Sequence, residues 1–502
     1  MTDVLFGQSY YLRFDPKLHK AMQPYPPLGT LFAAAVVRQA GYEVALFDAM
    51  LASSTAEWDA ALEAYQPRVA VLYEDNFNYL SKMSLLRMRE AAFAMIAAAK
   101  TVGCVVVVAG ADMTDHPEKY LERGADIAIL GEGEETLLDV LRALKAAPPP
   151  PAAPDIWAGI AGIAYRDAAG GVARTLPRPV LRDLDALPLP AWDLVDWARY
   201  KQAWHAAHGY FSVNMVTTRG CPFHCNWCAK PIWGQRYAVR SPQSVVDEMR
   251  WLRDHVGPDH IWFMDDIMGI QDKWIEQFAD ELDRQEVHIP FKSLNRVDLL
   301  LRGKTIPALA RAGAKIVWVG AESGSQSVLD AMDKGTTVEQ IYEATRQLHA
   351  NGIQVAFFLQ FGYPGEARAD IERTLQMVRD LLPDDIGISV SYPLPGTPFY
   401  ERVKLELGER ANWVDSEDLA MLYKGPFTTA FYRHLHTVVH KEYRSLKTWA
   451  ALRQGRRVGL RAIGSMLYHQ ATLPLARLKL AALERRPQPA LAPVPASNVA
   501  GP

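Results

Sequence analysis

Along the first third of the chain, short apolar runs alternate with longer stretches whose apolar positions recur every three or four residues. The runs at 4–6, 43–47, 69–73, 105–109 and 127–130 are strand-sized, and the stretches between them have the spacing of helices with one buried face. Such alternation over 1–145 predicts an α/β unit built on a doubly wound, Rossmann-like parallel sheet. One helix is predicted to open near Pro27-Leu-Gly29 and to stop before Gly41, since glycine takes the left-handed turn that ends a helix. Ligands of such sheets collect at the carboxyl ends of the strands, where Glu74-Asp-Asn-Phe-Asn78 and Gly110-Ala-Asp112 fall.

The pattern breaks at a run of prolines and alanines over 146–154, which cannot build a packed core and reads as a semi-rigid linker. Residues 146–205 are expected to be this linker followed by a connector, with a hairpin-like turn at 167–171 and a proline-rich piece at 187–191. Alternation resumes in 206–404, with strands at 212–216, 260–263, near 291, 315–319, 354–359 and 386–390 and a helix at 242–255. Six strand–helix units of this kind predict a full or partial parallel (β/α)6 barrel, whose reactive face lies at the carboxyl ends of its strands. From 405 to 486 the pattern is helical, and 487–502 is proline- and alanine-rich and expected to be disordered.

The 502 residues fit about three units of roughly 150 residues. Hydrophobic residues at 49% and charged residues at 22% are the balance of a soluble globular protein. A net charge of -3 argues against a nucleic-acid partner for the chain as a whole. The start of the chain lacks the features of a secretory leader, and no apolar run is long enough to span a membrane, so a cytoplasmic location is expected.

Three of the four cysteines fall within Thr217-Thr-Arg-Gly-Cys-Pro-Phe-His-Cys-Asn-Trp-Cys228, in the loop after the first predicted barrel strand. So tight a group holds metal rather than disulfides. Thiolates are soft ligands that suit iron–sulfur clusters, and three of them leave one iron of a four-iron cluster open to substrate. A zinc site is the alternative, and it needs a fourth ligand. His224 adjoins Cys225 and is badly placed to share the ion, while Cys104 lies in a predicted strand of the first unit.

Cys221, Cys225 and Cys228, with Trp227 before the third, resemble the signature of the radical S-adenosylmethionine (SAM) superfamily. That resemblance implies a 4Fe-4S cluster on the three thiolates, SAM chelated to the open iron, and reductive cleavage of SAM to a 5'-deoxyadenosyl radical. It extends over 214–400. Trp262-Phe-Met-Asp-Asp266 resembles a family segment whose Asp265 and Asp266 would face SAM or substrate, a helix cap being the alternative. Gly320-Ala-Glu-Ser-Gly-Ser325 would bring Glu322 and Ser323 near the polar groups of SAM, unless it is only a strand-to-helix turn. Phe361-Gly-Tyr-Pro-Gly-Glu366 and Tyr392-Pro-Leu-Pro-Gly-Thr-Pro398 resemble the loops that follow the last two strands.

The first unit resembles the cobalamin-binding domain that precedes many radical SAM enzymes, through Tyr25-Pro-Pro-Leu-Gly29, Gly41-Tyr-Glu-Val, Phe47-Asp48, Ala109-Gly-Ala-Asp112 and Gly131-Glu-Gly-Glu-Glu-Thr136. His19 stands in Asp15-Pro-Lys-Leu-His19-Lys-Ala-Met22, whose spacing differs from the D-x-H-x-x-G of cobalt-ligating histidines. Cobalamin is therefore expected to bind without a protein histidine, the alternative being a domain that has lost it. Together the modules imply a methyltransferase acting on an unactivated carbon of a small or lipid-like metabolite, with electrons from a flavodoxin- or ferredoxin-type donor. A radical rearrangement or cyclisation, and a non-catalytic cluster protein, are the other readings. The basic carboxyl-terminal helices carry Leu460, Ile463, Met466, Leu467, Leu473 and Leu475 and are expected to cap the barrel. Peripheral contact with a membrane is the alternative.

Overall fold

Strands buried on both faces are read as unbroken apolar runs, and Val69-Ala-Val-Leu-Tyr73 and Val105-Val-Val-Val-Ala109 form such strands in the computed structural model. The structure describes residues 2–146, 156–407 and 411–485. All but the first residue of the expected linker, and the whole of the expected 487–502 tail, lie outside these. The first sheet contains β1 (Val4–Gly7), β2 (Val44–Leu46), β3 (Val69–Tyr73), β4 (Val105–Ala109), β5 (Ile127–Ile129), β6 (Ile163–Arg166) and β7 (Val172–Arg174). Its order is β2-β1-β3-β4-β5-β6-β7, parallel through β5. The chain reverses direction of travel across the sheet between β1 and β3, which makes that crevice the ligand position of a doubly wound fold.

The turn expected at 167–171 joins β6 to β7. This hairpin adds to the first sheet antiparallel to β5, so part of the expected connector completes the sheet. The predicted first helix is Leu28–Gln39, and Gly41 has φ +89° just beyond it.

The second sheet contains β8 (Ser212–Met215), β11 (His260–Phe263), β12 (Phe291–Asn295), β13 (Ala314–Glu322), β14 (Gln354–Phe361) and β15 (Asp385–Val390), with a two-stranded ribbon of β9 (Thr218–Arg219) and β10 (Ala238–Val239) beside it. The six strands are parallel in the order β15-β14-β13-β12-β11-β8. Among the described residues β8 and β15 do not pair, so the barrel is partial and has a lateral seam. The front unit seats a segment against β8 and β11: the Tyr25 hydroxyl meets Ser212 Oγ at 3.2 Å, Asn214 donates to the Pro26 carbonyl at 2.9 Å, and Tyr25 packs edge-on against both Trp204 and Trp262.

One continuous apolar core runs through Leu28, Leu31 and Phe32 of the front helix, Val213 and Met215 of β8, and Phe431 and Leu435 near the carboxyl terminus. The helix Thr429–Arg453 lies beside β15, with Tyr443 donating to the Pro383 carbonyl at 2.9 Å and Lys447 paired with Asp384 at 3.1 Å. A second long helix, Leu460–Glu484, packs on Thr429–Arg453 from outside. No helix among the described residues is long and apolar enough to cross a membrane.

Candidate active site

The carboxyl ends of both sheets face one another, and the cysteine loop lies between them. β9 and β10 pair antiparallel, Thr218 with Val239 and Arg219 with Ala238, and so pinch the loop closed at its base. Gly220 has φ +77°, and a Cβ there would lie 2.5 Å from the Arg236 carbonyl oxygen, so this turn requires glycine. Inside the loop Asn226 is the hub. Its backbone N–H donates to Met332, its side-chain amide donates to Ala331 O and Asp333, and its amide oxygen accepts from the Tyr363 hydroxyl at 2.7 Å. Lys230 donates to the Phe223 carbonyl.

Cys221, Cys225 and Cys228 are free and half-buried. Burial pushes the Cys221 thiol up and the Cys228 thiol up to about 12, so these thiolates need compensating positive charge. Arg296 supplies some, with its guanidinium 3.8 Å from the Phe223 ring centre and 3.8 Å from Cys225 Sγ. Among the described residues no three His, Cys, Asp or Glu side chains gather around one ion-sized point. Three soft thiolates in this C-x3-C-x2-C spacing suit an iron–sulfur cluster and would leave one of its irons without a protein ligand.

Each expected site residue has a definite place. Asp265 is buried, and its carboxylate accepts from Thr217 N at 2.7 Å, Thr217 Oγ1 at 2.6 Å and Thr218 N at 2.8 Å. It fastens the strand that leads into the cysteine loop and does not cap the helix Asp272–Gln285. Asp266 pairs with Lys82 of the front unit. Glu322 sits at φ +55° at the end of β13 and pairs with buried Lys334 at 2.8 Å. The Ser323 hydroxyl is shared with Thr374 Oγ1 at 3.1 Å and accepts from Ser325 N, so it faces the helix Arg368–Leu381. Trp227 packs against the core with its indole N–H buried and unpartnered.

Several residues that sequence reasoning passed over complete the gap. Arg219, two positions before the first cysteine, reaches Glu132 at 2.5 Å and Glu134 at 2.8 Å, and its guanidinium lies over Phe32 and Phe77. All three charged groups are buried. The cysteine motif and the Gly131-Glu-Gly-Glu motif thus bind each other, a pairing that separation by 85 residues hides. Trp233 of the cysteine loop stacks on Phe77 of the front unit at 5.1 Å. Tyr79, also from the front unit, has a ring 57% exposed. Burial, then the negative charges of Cys228 and Glu322, nevertheless hold its hydroxyl well above the usual phenol range.

The front sheet's carboxyl end holds unpartnered buried polar atoms: Gln8 Nε2, Asn76 Oδ1, Ser81 Oγ and Ser84 Oγ. Such atoms call for a polar ligand, and the amide-fringed corrin of cobalamin is one. The barrel's inner face presents Trp262, Lys292, Trp318 and Phe358. Lys292 Nζ lies 4.0 Å from the Trp262 ring centre, Trp318 and Phe358 are 4.6 Å apart, and burial pushes the Lys292 ammonium down to about 8.

Residues 18–141 match the B12 binding domain family, and residues 215–378 match the radical SAM superfamily. The chain belongs to the radical SAM superfamily and carries a B12-binding domain. This radical SAM enzyme is 25% identical over 389 residues to an uncharacterized methyltransferase of Pyrococcus horikoshii, covering 75% of this chain and 78% of that protein. It is 29% identical over 301 residues to the anaerobic magnesium-protoporphyrin IX monomethyl ester cyclase of Rubrivivax gelatinosus, covering 58% of this chain and 51% of that one. The solved cobalamin-dependent SAM radical enzyme OxsB superposes with a TM-score of 0.71 over 96% of this chain and 72% of its own, and at 16% identity the likeness is one of fold. The cofactors of the radical SAM enzyme described here are a 4Fe-4S cluster, SAM and cobalamin.

Proposed function

We propose that this cobalamin-dependent radical SAM enzyme methylates an unactivated carbon of a small or lipid-like metabolite. The observation that carries the reading is the facing of the two strand-end surfaces across one gap, locked by Arg219 with Glu132 and Glu134 and by Lys82 with Asp266. Methylation of an inert carbon needs hydrogen removal and methyl delivery at the same atom, and only adjacent cofactors can share a substrate in this way. When bound, the cofactors supply reductive cleavage of SAM and a transferable methyl group.

The chain's own residues set the geometry. In this reading Cys221, Cys225 and Cys228 hold the cluster, Trp227 lines the site, and Asp266 and Glu322 lie on the polar side of the SAM pocket. Asp265 and Ser323 fix the loops that carry them. The Asp265 carboxylate keeps β8 and the cysteine loop in register, and Asn226 fastens the far side of that loop to the turn after β13. Tyr79 and the aromatic wall of Trp262, Trp318 and Phe358 keep bulk water from the gap, which protects a radical from being quenched. An apolar wall with a single amine, Lys292, suits a substrate more apolar than polar. A flavodoxin- or ferredoxin-type protein is the proposed source of electrons.

Anaerobic turnover of the reconstituted enzyme with methyl-labelled SAM and a fractionated metabolite extract tests the reaction. Label in a product one methyl group heavier, with S-adenosylhomocysteine and 5'-deoxyadenosine formed alongside, is the expected result. A mass-neutral, unlabelled product rejects methylation. Replacing the three clustered cysteines by alanine is expected to abolish both iron binding and SAM cleavage.

A further inference from the structure

The outer face of the last long helix is apolar, although nothing among the described residues covers it. In Leu460–Glu484 the buried positions Met466, Ala476, Leu480 and Leu483 fall on one side, against Thr429–Arg453. At 100° per residue, Leu460, Gly464, Leu467, Ala471, Leu475, Leu478 and Ala482 fall in a stripe on the opposite side. Leu460, Leu467, Leu475 and Leu478 are between 57% and 87% exposed. Isolated surface leucines need no explanation, but four along one stripe of one helix make a continuous apolar strip.

The charge around the strip is of one sign. Arg453, Arg456, Arg457 and Arg461 crowd the tip of the helical hairpin, and Lys479 and Arg485 flank its other end, all exposed. The only carboxylate from 453 to 485 is Glu484, which faces Arg368 at 3.7 Å. Trp449, half exposed near the same tip, adds a ring of the kind that settles at lipid headgroup level. A second copy of this chain would bring a second cluster of arginines against the first, so the charge disfavours self-association and favours an anionic surface.

We propose that the outer face of Leu460–Glu484 docks on an anionic lipid bilayer, with the helix in the plane of the surface, its leucine strip among the acyl chains and the hairpin-tip arginines on the headgroups. The helix is too polar to span the bilayer, and its geometry is that of an interfacial helix. This goes beyond the catalytic reading and does not depend on it. Docking would hold the protein at a membrane surface.

Co-sedimentation of the full-length protein with vesicles tests it. One set is phosphatidylcholine alone, and in the other a third of it is replaced by phosphatidylglycerol. Binding to the second set, weakened by salt, is expected, with little to the first. Replacing Arg456, Arg457 and Arg461 together by glutamine is expected to weaken binding about a hundredfold, from roughly fivefold per charge. Leu467→Gln with Leu475→Gln and Leu478→Gln is expected to abolish it, with circular dichroism and iron content unchanged. Protein that stays in the supernatant with both vesicle sets overturns the proposal, as does binding that the leucine variant retains. So does a dimer in light scattering that the same variant dissolves without any vesicle binding.

Discussion

At the scale of single residues, burial without full partnership is what distinguishes the working side chains. Glu366, in the loop after β14, accepts from Gly362 N at 2.7 Å through one oxygen, while its other oxygen is buried without a partner. Burial therefore raises its carboxyl from 4.5 to about 8. A folded state that binds a proton more tightly than the unfolded chain gains stability from it below pH 4.5 and loses that gain as the pH rises through 8. The slope is about 1.4 kcal/mol per pH unit inside the window. Melting temperature followed across that range is expected to fall for the natural protein and to stay flatter for Glu366→Gln. Burial also raises the Asp265 carboxyl, to about 6, although three donors converge on it and hold it lower than burial alone would. Asp265→Asn would turn an amide N–H toward one of those donors and is expected to cost about 1–3 kcal/mol. Reduced iron occupancy after reconstitution and a lower urea midpoint would show it. The cysteines were legible in the sequence because their chemistry depends on local spacing. Asp265 stood out as half of a carboxylate pair, but its partners did not, because hydrogen bonds to backbone N–H groups leave no mark on residue type.

At the scale of elements, the strands were largely legible because a buried parallel strand needs an unbroken apolar run. β13 extends past the expected 315–319 at both ends, to Ala314–Glu322, because its inner face must also reach the strand-end surface. The ribbon of β9 and β10 left no such signal: two residues on each side cannot show a periodicity. Its glycine makes a sharp test. Gly220→Ala places a Cβ against the Arg236 carbonyl at a φ that side chains avoid, so the ribbon must open. The expected outcome is a stable, folded protein with a wider cysteine loop and several-fold less iron per chain, read from metal analysis and the cluster's visible absorbance. Unchanged iron would mean that the ribbon does not set the loop.

At the scale of the whole molecule, the front helix shares its core with the barrel, while the strands of the front sheet pack in two cores of their own. The apolar core crosses from the front helix to β8 without interruption, and the buried Arg219 group crosses beside it. Scanning calorimetry is expected to show one unfolding transition; two separated peaks would contradict a shared core. Arg219→Met leaves two buried carboxylates facing each other, which is expected to cost about 3–5 kcal/mol. Adding Glu132→Gln and Glu134→Gln should restore much of that, a recovery that a mere packing defect would not show. The sequence announced both modules and said nothing of their contact, since the residues that meet are distant along the chain and ordinary in type.

The inner face of the partial barrel gives the front unit a second duty. With Tyr25 and Pro26 lodged beside Ser212 and Asn214, and Tyr25 against Trp262, the module that offers a place for the corrin also lines the inside of the barrel. A shortened version lacking it would lose more than a cofactor: the inside of the barrel would be stripped of that lining, and any carbon-centred radical made there would meet solvent before it met its target.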